Sequence, residues 1–213
     1  MTRRLKRDIP GVDWRVALPD VAARGFEALF AGDVAAPLPL VVELGFGRGE
    51  FLQGLASASP RCAHVGVEIS YRRTLKLARR LARSELRNVR LVQALAQQFV
   101  QEALADASVA CFWINFPDPW PKKRHARRRL LQPEFAALLA RRLVPGGDLR
   151  VATDDAAYAL WIDAALRAQP ALVNFHAPEP FAPEEADRAP TAYEQEWRAQ
   201  GRALHFFHYK RKD

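Results

Sequence analysis

The stretch Pro117-Asp118-Pro119-Trp120-Pro121-Lys122-Lys123 runs straight into Arg124-His125-Ala126-Arg127-Arg128-Arg129. One acid lies between two prolines, an aromatic follows, and six Lys/Arg then fall within eight positions. Proline fixes its own φ and restricts the residue before it, so Asp118 sits on a stiff loop. A stiff carboxylate beside a dense positive run suits a site that grips nucleic acid and does chemistry on one base. Lys122, Lys123 and Arg124 are candidates for phosphate contacts, with Arg127, Arg128 and Arg129 extending the patch. The competing readings are a solvated charged face for the run and a helix-capping turn acid for Asp118.

Three further constellations carry chemistry. Glu43-Leu44-Gly45-Phe46-Gly47-Arg48-Gly49 has GxGxG spacing, and Glu50 stands where a dinucleotide fingerprint places its third glycine. That weighs against a nicotinamide enzyme. Glu68 follows Gly49 by 19 positions and ends the next apolar run, where an acid accepts both hydroxyls of a ribose. Gly45, Gly47, Gly49 and Glu68 together point to a nucleoside-type cofactor. Thr153-Asp154-Asp155 closes a later strand, with Asp155 read as a helix N-cap. Thr191-Ala192-Tyr193-Glu194 has the T-x-x-E spacing of a capping box, which competes with a functional reading. The five histidines show no metal spacing and Cys62 and Cys111 stand far apart, so neither a metal centre nor a disulfide framework is expected.

These residues need elements to position them. Strand-like runs are expected at Leu40–Leu44, His64–Ile69, Val89–Val92, Val109–Ile114, Leu149–Ala152, Leu172–Phe175 and Ala203–Tyr209. Helical patterns fall between them at Glu50 onward, Tyr71–Leu86, Ala96–Leu104, Pro133–Leu143 and Asp155–Leu166, with Gly146-Gly147 read as the stop after Leu143. Alternation of this kind predicts an α/β, Rossmann-like, doubly wound and mostly parallel seven-stranded sheet with helices on both faces. The glycine turn, Glu68, Asp118 and Asp154 all fall at strand carboxyl ends, where such sheets bind ligands. One domain over residues 37–213 is expected, after a basic N-terminal extension over 1–36. Trp14, Trp113, Trp161 and Trp197 are read as packing residues. The chain has 213 residues, 49% hydrophobic, and a formal net charge of +8, which allows a substantial core and favours polyanionic partners. No stretch has the length of a signal peptide's apolar core or a membrane span, and a soluble cytoplasmic protein without membrane contact is expected.

Taken in order, Glu43-x-Gly45-x-Gly47-x-Gly49, Gly66-Val67-Glu68, Phe116-Pro117-Asp118-Pro119-Trp120-x-Lys122-x-Arg124-His125, Ala152-Thr153-Asp154 and Thr191-x-Tyr193-Glu194 resemble the bacterial tRNA (guanine-N7-)-methyltransferases. The resemblance covers the chain from about Leu40 onward. It implies S-adenosyl-L-methionine as cofactor and N7 of a guanine in the tRNA variable loop as methyl acceptor. It assigns Glu43, Glu68 and Asp118 to the cofactor, with Asp118 also the catalytic acid. Lys122, Asp154, Thr191, Tyr193 and Glu194 go to the substrate, Glu194 by accepting from the guanine edge. The sequence departs from the family at Leu95, where an Asp or Asn usually contacts the adenine. Leu95 can still pack on that ring, at the loss of one hydrogen bond worth ~1 kcal/mol. That departure motivates the alternative of a non-catalytic RNA-binding protein. A methyltransferase acting on another RNA or on a small molecule is the second alternative.

Overall fold

A computed structural model of the chain describes residues 6–185, 188 and 190–213. The first positions of the basic N-terminal run, up to residue 5, and parts of the Pro/Glu-rich loop at 186, 187 and 189 lie outside the described residues. The elements are β1 (Arg15–Val16), α1 (Leu18–Phe30), β2 (Leu40–Leu44), α2 (Glu50–Ala58), β3 (Ala63–Val67), α3 (Tyr71–Leu81), β4 (Val89–Val92) and α4 (Ala96–Ala103). They continue with β5 (Val109–Asn115), a 3-10 helix (Lys123–Arg128), α5 (Pro133–Arg142), β6 (Leu143–Thr153), α6 (Ala156–Arg167), β7 (Leu172–Asn174), α7 (Ala192–Ala199) and β8 (His205–Arg211).

The strands form one sheet in the order β1-β4-β3-β2-β5-β6-β8-β7. Pairings are parallel from β1 to β6, and β8 runs antiparallel to both β6 and β7. Strands of a sheet covered on both faces are expected to be buried throughout and largely apolar. Accordingly β3 and β4 are buried along their whole length. The chain leaves β2 toward β3 on one side and returns on the other as β5, so the strand order reverses at β2. A crevice opens outside the carboxyl ends of strands at such a point.

Three expectations are adjusted. Among the described residues the sheet has eight strands rather than seven, because the two-residue β1 joins its edge beside β4. The Gly146-Gly147 pair does not end the helix before it; α5 stops at Arg142, and β6 begins at Leu143 and runs through the pair, with a register shift against β5 between Val109 and Cys111. Helix α3 stops at Leu81, ahead of Leu86.

The segment set apart as an N-terminal extension supplies β1 and α1, and Leu18, Val21, Leu29 and Phe30 join the main core. Arg90 on β4 fastens it there. Its buried guanidinium donates to the carbonyls of Arg87, Val89 and Leu29, pairs with Asp33 at 2.6 Å, and stacks over Trp14 and Phe30. Arg90→Met leaves that carboxylate and those carbonyls without a partner, at a cost of roughly 3–5 kcal/mol. At a few degrees per kcal/mol for a domain of this size, calorimetry should show a melting temperature roughly 6–20 °C lower. A shift below about 2 °C would show that Arg90 does not fasten α1.

Candidate active site

Two adjoining cavities, of about 360 and about 320 Å3, open at the switch point. Both are lined by Gly45, Arg73, Asn115, Phe116 and Asp118, so they form one crevice with Asp118 between its halves. Asp118 itself is exposed at the rim.

The loop that carries Asp118 is held in a costly shape. Phe116 and Trp120 have φ of 50° and 45°, a region that non-glycine residues rarely occupy. Such strain costs of order 1–3 kcal/mol per residue and persists only where surrounding contacts fix it. Here Phe116 N–H donates to the Ala152 carbonyl at 2.8 Å, and Arg129 Nε donates to the Pro119 carbonyl at 2.8 Å. Arg129 is buried, stacked over Tyr158 and Trp161, so it braces the loop from below. Its place in the run suggested an extension of the basic patch, which burial rules out. Lys122, Lys123, Arg124, Arg127 and Arg128 are exposed, on the 3-10 helix or just before it. Arg128 alone of them lines the crevice, its guanidinium 5.0 Å from the centre of the Trp120 ring.

One half of the crevice is shaped for a nucleoside. The glycine turn borders it: Gly45 lines both halves and Gly47 the other one, their φ are 81° and 57°, and a Cβ added at either would meet nothing closer than 4.0 Å. The turn therefore presents bare backbone to open space. Glu68 is buried and pinned: its carboxylate accepts from Ser70 N–H at 2.9 Å and from Gly47 N–H at 3.1 Å. Each oxygen keeps a second acceptor site for a diol. Leu95 and Ile69 are 53% and 60% exposed and line the same cavity, a pair of apolar surfaces for a flat ring. Gly49 lines neither cavity. It starts α2, and a Cβ there would lie 2.4 Å from Leu77 Cδ2, so it lets α3 pack closely.

The other half is acidic. Glu43 is 2% exposed, and burial pushes its carboxyl up to about 7. Asn115 Nδ2 donates to Oε1 at 3.1 Å, while Oε2 has no partner among the described residues. A buried, half-satisfied carboxylate lining a cavity is a waiting acceptor for a cationic donor such as an amino group. The cradle, the diol acceptor and this oxygen fit an aminoacyl-type nucleoside cofactor.

Thr191, Tyr193 and Glu196 wall this half. Tyr193 OH donates to Asp154 Oδ2 at 3.2 Å, and its ring lies 4.9 Å from that of Phe116. Arg202 also pairs with Asp154, at 3.2 Å. Asp155 caps α6 by accepting from Tyr158 N–H at 2.7 Å. The capping box at Thr191 is real: Thr191 Oγ1 accepts from Glu194 N–H at 2.9 Å, and Glu194 Oε2 accepts from Thr191 N–H at 3.4 Å. Glu194 is buried and lines neither cavity, and its carboxylate meets Arg188 at 3.0 Å and Arg198 at 3.1 Å. Arg188 in turn sits between the rings of Phe51, Trp113 and Phe206.

The sequence expectations thus converge on one crevice for Glu43, Gly45, Gly47, Glu68, Leu95, Asp118, Thr191 and Tyr193, with Asp154 one hydrogen bond away. Lys122 and its neighbours lie on the rim. Ile69, Arg73, Asn115, Phe116 and Glu196 were missed. Asn115 and Phe116 directly precede the Pro117-Asp118 loop and close β5, a position that marked them out. Arg188 had no local signal, since the rings that enclose it, Phe51, Trp113 and Phe206, are distant in sequence.

A family model described as "Putative methyltransferase" matches residues 37–207. The tRNA (guanine-N(7)-)-methyltransferase of Magnetococcus marinus is 41% identical over 173 residues, which is 81% of this chain and 68% of that protein. The enzyme of the same name from Halorhodospira halophila is 36% identical over 210 residues, covering 99% of this chain and 90% of its own. Among solved structures, the aminoglycoside resistance methyltransferase NpmB1 shares the fold, with a TM-score of 0.57 at 19% identity over 81% of this chain and 87% of its own. With this identity carried over most of both sequences, the chain belongs to the tRNA (guanine-N(7)-)-methyltransferase family.

Proposed function

We propose that this protein transfers the methyl group of S-adenosyl-L-methionine to N7 of a guanine in the variable loop of tRNA. The observation that supports the proposal is the position of Asp118, which borders both the half of the crevice lined by Glu68, Ile69 and Leu95 and the half walled by Thr191 and Tyr193. When bound, the cofactor supplies a methyl carbon already activated by its sulfonium.

The residues then have defined tasks. Glu68 holds the ribose hydroxyls, Leu95 and Ile69 pack the adenine, and Glu43 accepts from the amino group. Guanine N7 carries a lone pair and no proton, so no general base is required. The protein's contribution is chiefly alignment, which can be worth several kcal/mol. The ring becomes cationic on methylation, and the fixed Asp118 carboxylate stabilises that charge as it develops. Asp154, Thr191 and Tyr193 orient the base, and Glu194 acts through its ion pairs by seating that wall. Lys122, Lys123, Arg124, Arg127 and Arg128 hold phosphates, and Trp120 offers an aromatic face to an extruded base. No helix among the described residues is long and apolar enough to cross a membrane. A tRNA substrate supports the cytoplasm as the place of action.

Labelled methyl from S-adenosyl-L-methionine is expected to enter tRNA, with kcat about 10²–10³-fold lower in Asp118→Ala. Folded, cofactor-binding wild-type protein that leaves every tRNA unlabelled would refute the proposal. Lys122→Ala should weaken tRNA binding and lower the slope of log K against log salt by about one; an unchanged slope removes Lys122 from the phosphate contacts.

Glu43 yields a pH prediction. Its folded pKa is raised, so the folded state holds that proton more tightly than the unfolded chain. The stability of the cofactor-free protein should therefore fall as pH rises from the ordinary carboxyl range through about 7. Cofactor affinity should move the opposite way, rising through the same window as Glu43 ionises. Glu43→Gln should flatten both trends in calorimetry, and a variant that keeps the wild-type profiles would detach them from Glu43.

A further inference from the structure

We infer that the outward face of α3 is a second polyanion-binding surface, one that grips the RNA backbone on the side of the crevice opposite the Lys122–Arg128 patch. The inference rests on the function proposed above and adds a contact surface to it. From Tyr71 to Arg83 the chain carries six Lys/Arg and no acid. Thr74, Leu75, Leu77, Ala78 and Leu81 are buried against the sheet, which turns Arg72, Arg73, Lys76 and Arg83 outward.

Folding alone disfavours this arrangement. A solvated helix face ordinarily interleaves both signs of charge. Like charges four apart, such as Arg72 with Lys76 and Lys76 with Arg80, destabilise a helix by about 0.2–0.5 kcal/mol per pair. Arg72 and Arg73 also stand in the first turn, where the helix dipole favours anions. Part of the charge is used internally: Arg79 pairs with Asp8 at 3.1 Å, Arg80 with Glu50 at 3.8 Å and Arg73 with Glu68 at 3.5 Å. Arg72, Lys76, Arg83 and the adjacent exposed Arg48 have no carboxylate within salt-bridge distance among the described residues. Tyr71, 43% exposed, adds an aromatic surface at the same end.

The position of the face points to its partner. α3 follows β3 and the Lys123–Arg128 helix follows β5, the two strands that flank β2. Arg73 from one side and Arg128 from the other line the same cavity. A chain of phosphates held on both rims would straddle the crevice mouth, leaving one base to enter between them. A small-molecule acceptor would need neither surface.

The test uses Arg72→Ala/Lys76→Ala in the full chain, two exposed positions outside the crevice lining. tRNA affinity as a function of salt should lose about two from its slope. KM for tRNA should rise about tenfold or more at moderate salt, with kcat and S-adenosyl-L-methionine affinity within about twofold of wild type. An unchanged slope and KM overturn the second surface while wild-type methylation still upholds the proposed function. Absence of methylation by the wild type overturns that function instead, and the salt slope then still decides whether α3 holds RNA. Loss of binding to phosphatidylglycerol vesicles with the tRNA slope unchanged overturns the inference in favour of a membrane surface.

Discussion

The strained turn from Phe116 to Trp120 is the constraint on which the site depends. Two non-glycine residues with positive φ bracket Asp118, and the strain is sustained by Ala152 above and by the buried Arg129 below. A loop free to relax would move the carboxylate away from the boundary between the two cavities. Prolines on both sides of Asp118 narrow its alternatives in the unfolded chain as well as the folded one. Stability is thereby exchanged for a fixed charge at the boundary between the two cavities, the kind of preorganisation that the proposed chemistry requires.

Charge is distributed around that point with opposite signs by depth. Buried acids, Glu43 and Glu68, line the crevice floor, while cations occupy its rims. Glu43 and Glu194 would be prohibitive as isolated buried charges. Arg188, itself depressed below the ordinary arginine range by burial, lies against Glu194 and offsets the charge of Glu43, and three aromatic rings enclose it. This buried group ties the segment that starts at Thr191 to Phe51 on α2 and Trp113 on β5. The wall and the elements beside the glycine turn are thus coupled through a guanidinium that lines neither cavity.

Much of this was legible in the sequence because the fold places chemistry at strand ends. The apolar run Leu40–Leu44 and the glycine turn after it gave both β2 and its cradle, and Val109–Ile114 gave β5 and the loop beyond. Failures have physical causes. The Gly146-Gly147 pair was read by helix-stop chemistry, yet both glycines lie inside β6, which depends on pairing with β5 and β8. Arg129 was indistinguishable from its neighbours in the basic run until Tyr158 and Trp161, far away in sequence, closed around it. Glu194 satisfied a local capping rule and a functional motif at once, and only the packing of Arg188 and Arg198 showed its carboxylate turned inward. Local periodicity cannot report burial that is created by distant partners.

The regiochemistry of the product tests the account most directly. Transfer RNA treated with the wild-type protein and S-adenosyl-L-methionine, digested to nucleosides and examined by mass spectrometry, should contain 7-methylguanosine mapped to the variable loop. Methyl groups found on another base or another guanine atom, or none at all, would contradict the placement of a guanine N7 beside Asp118.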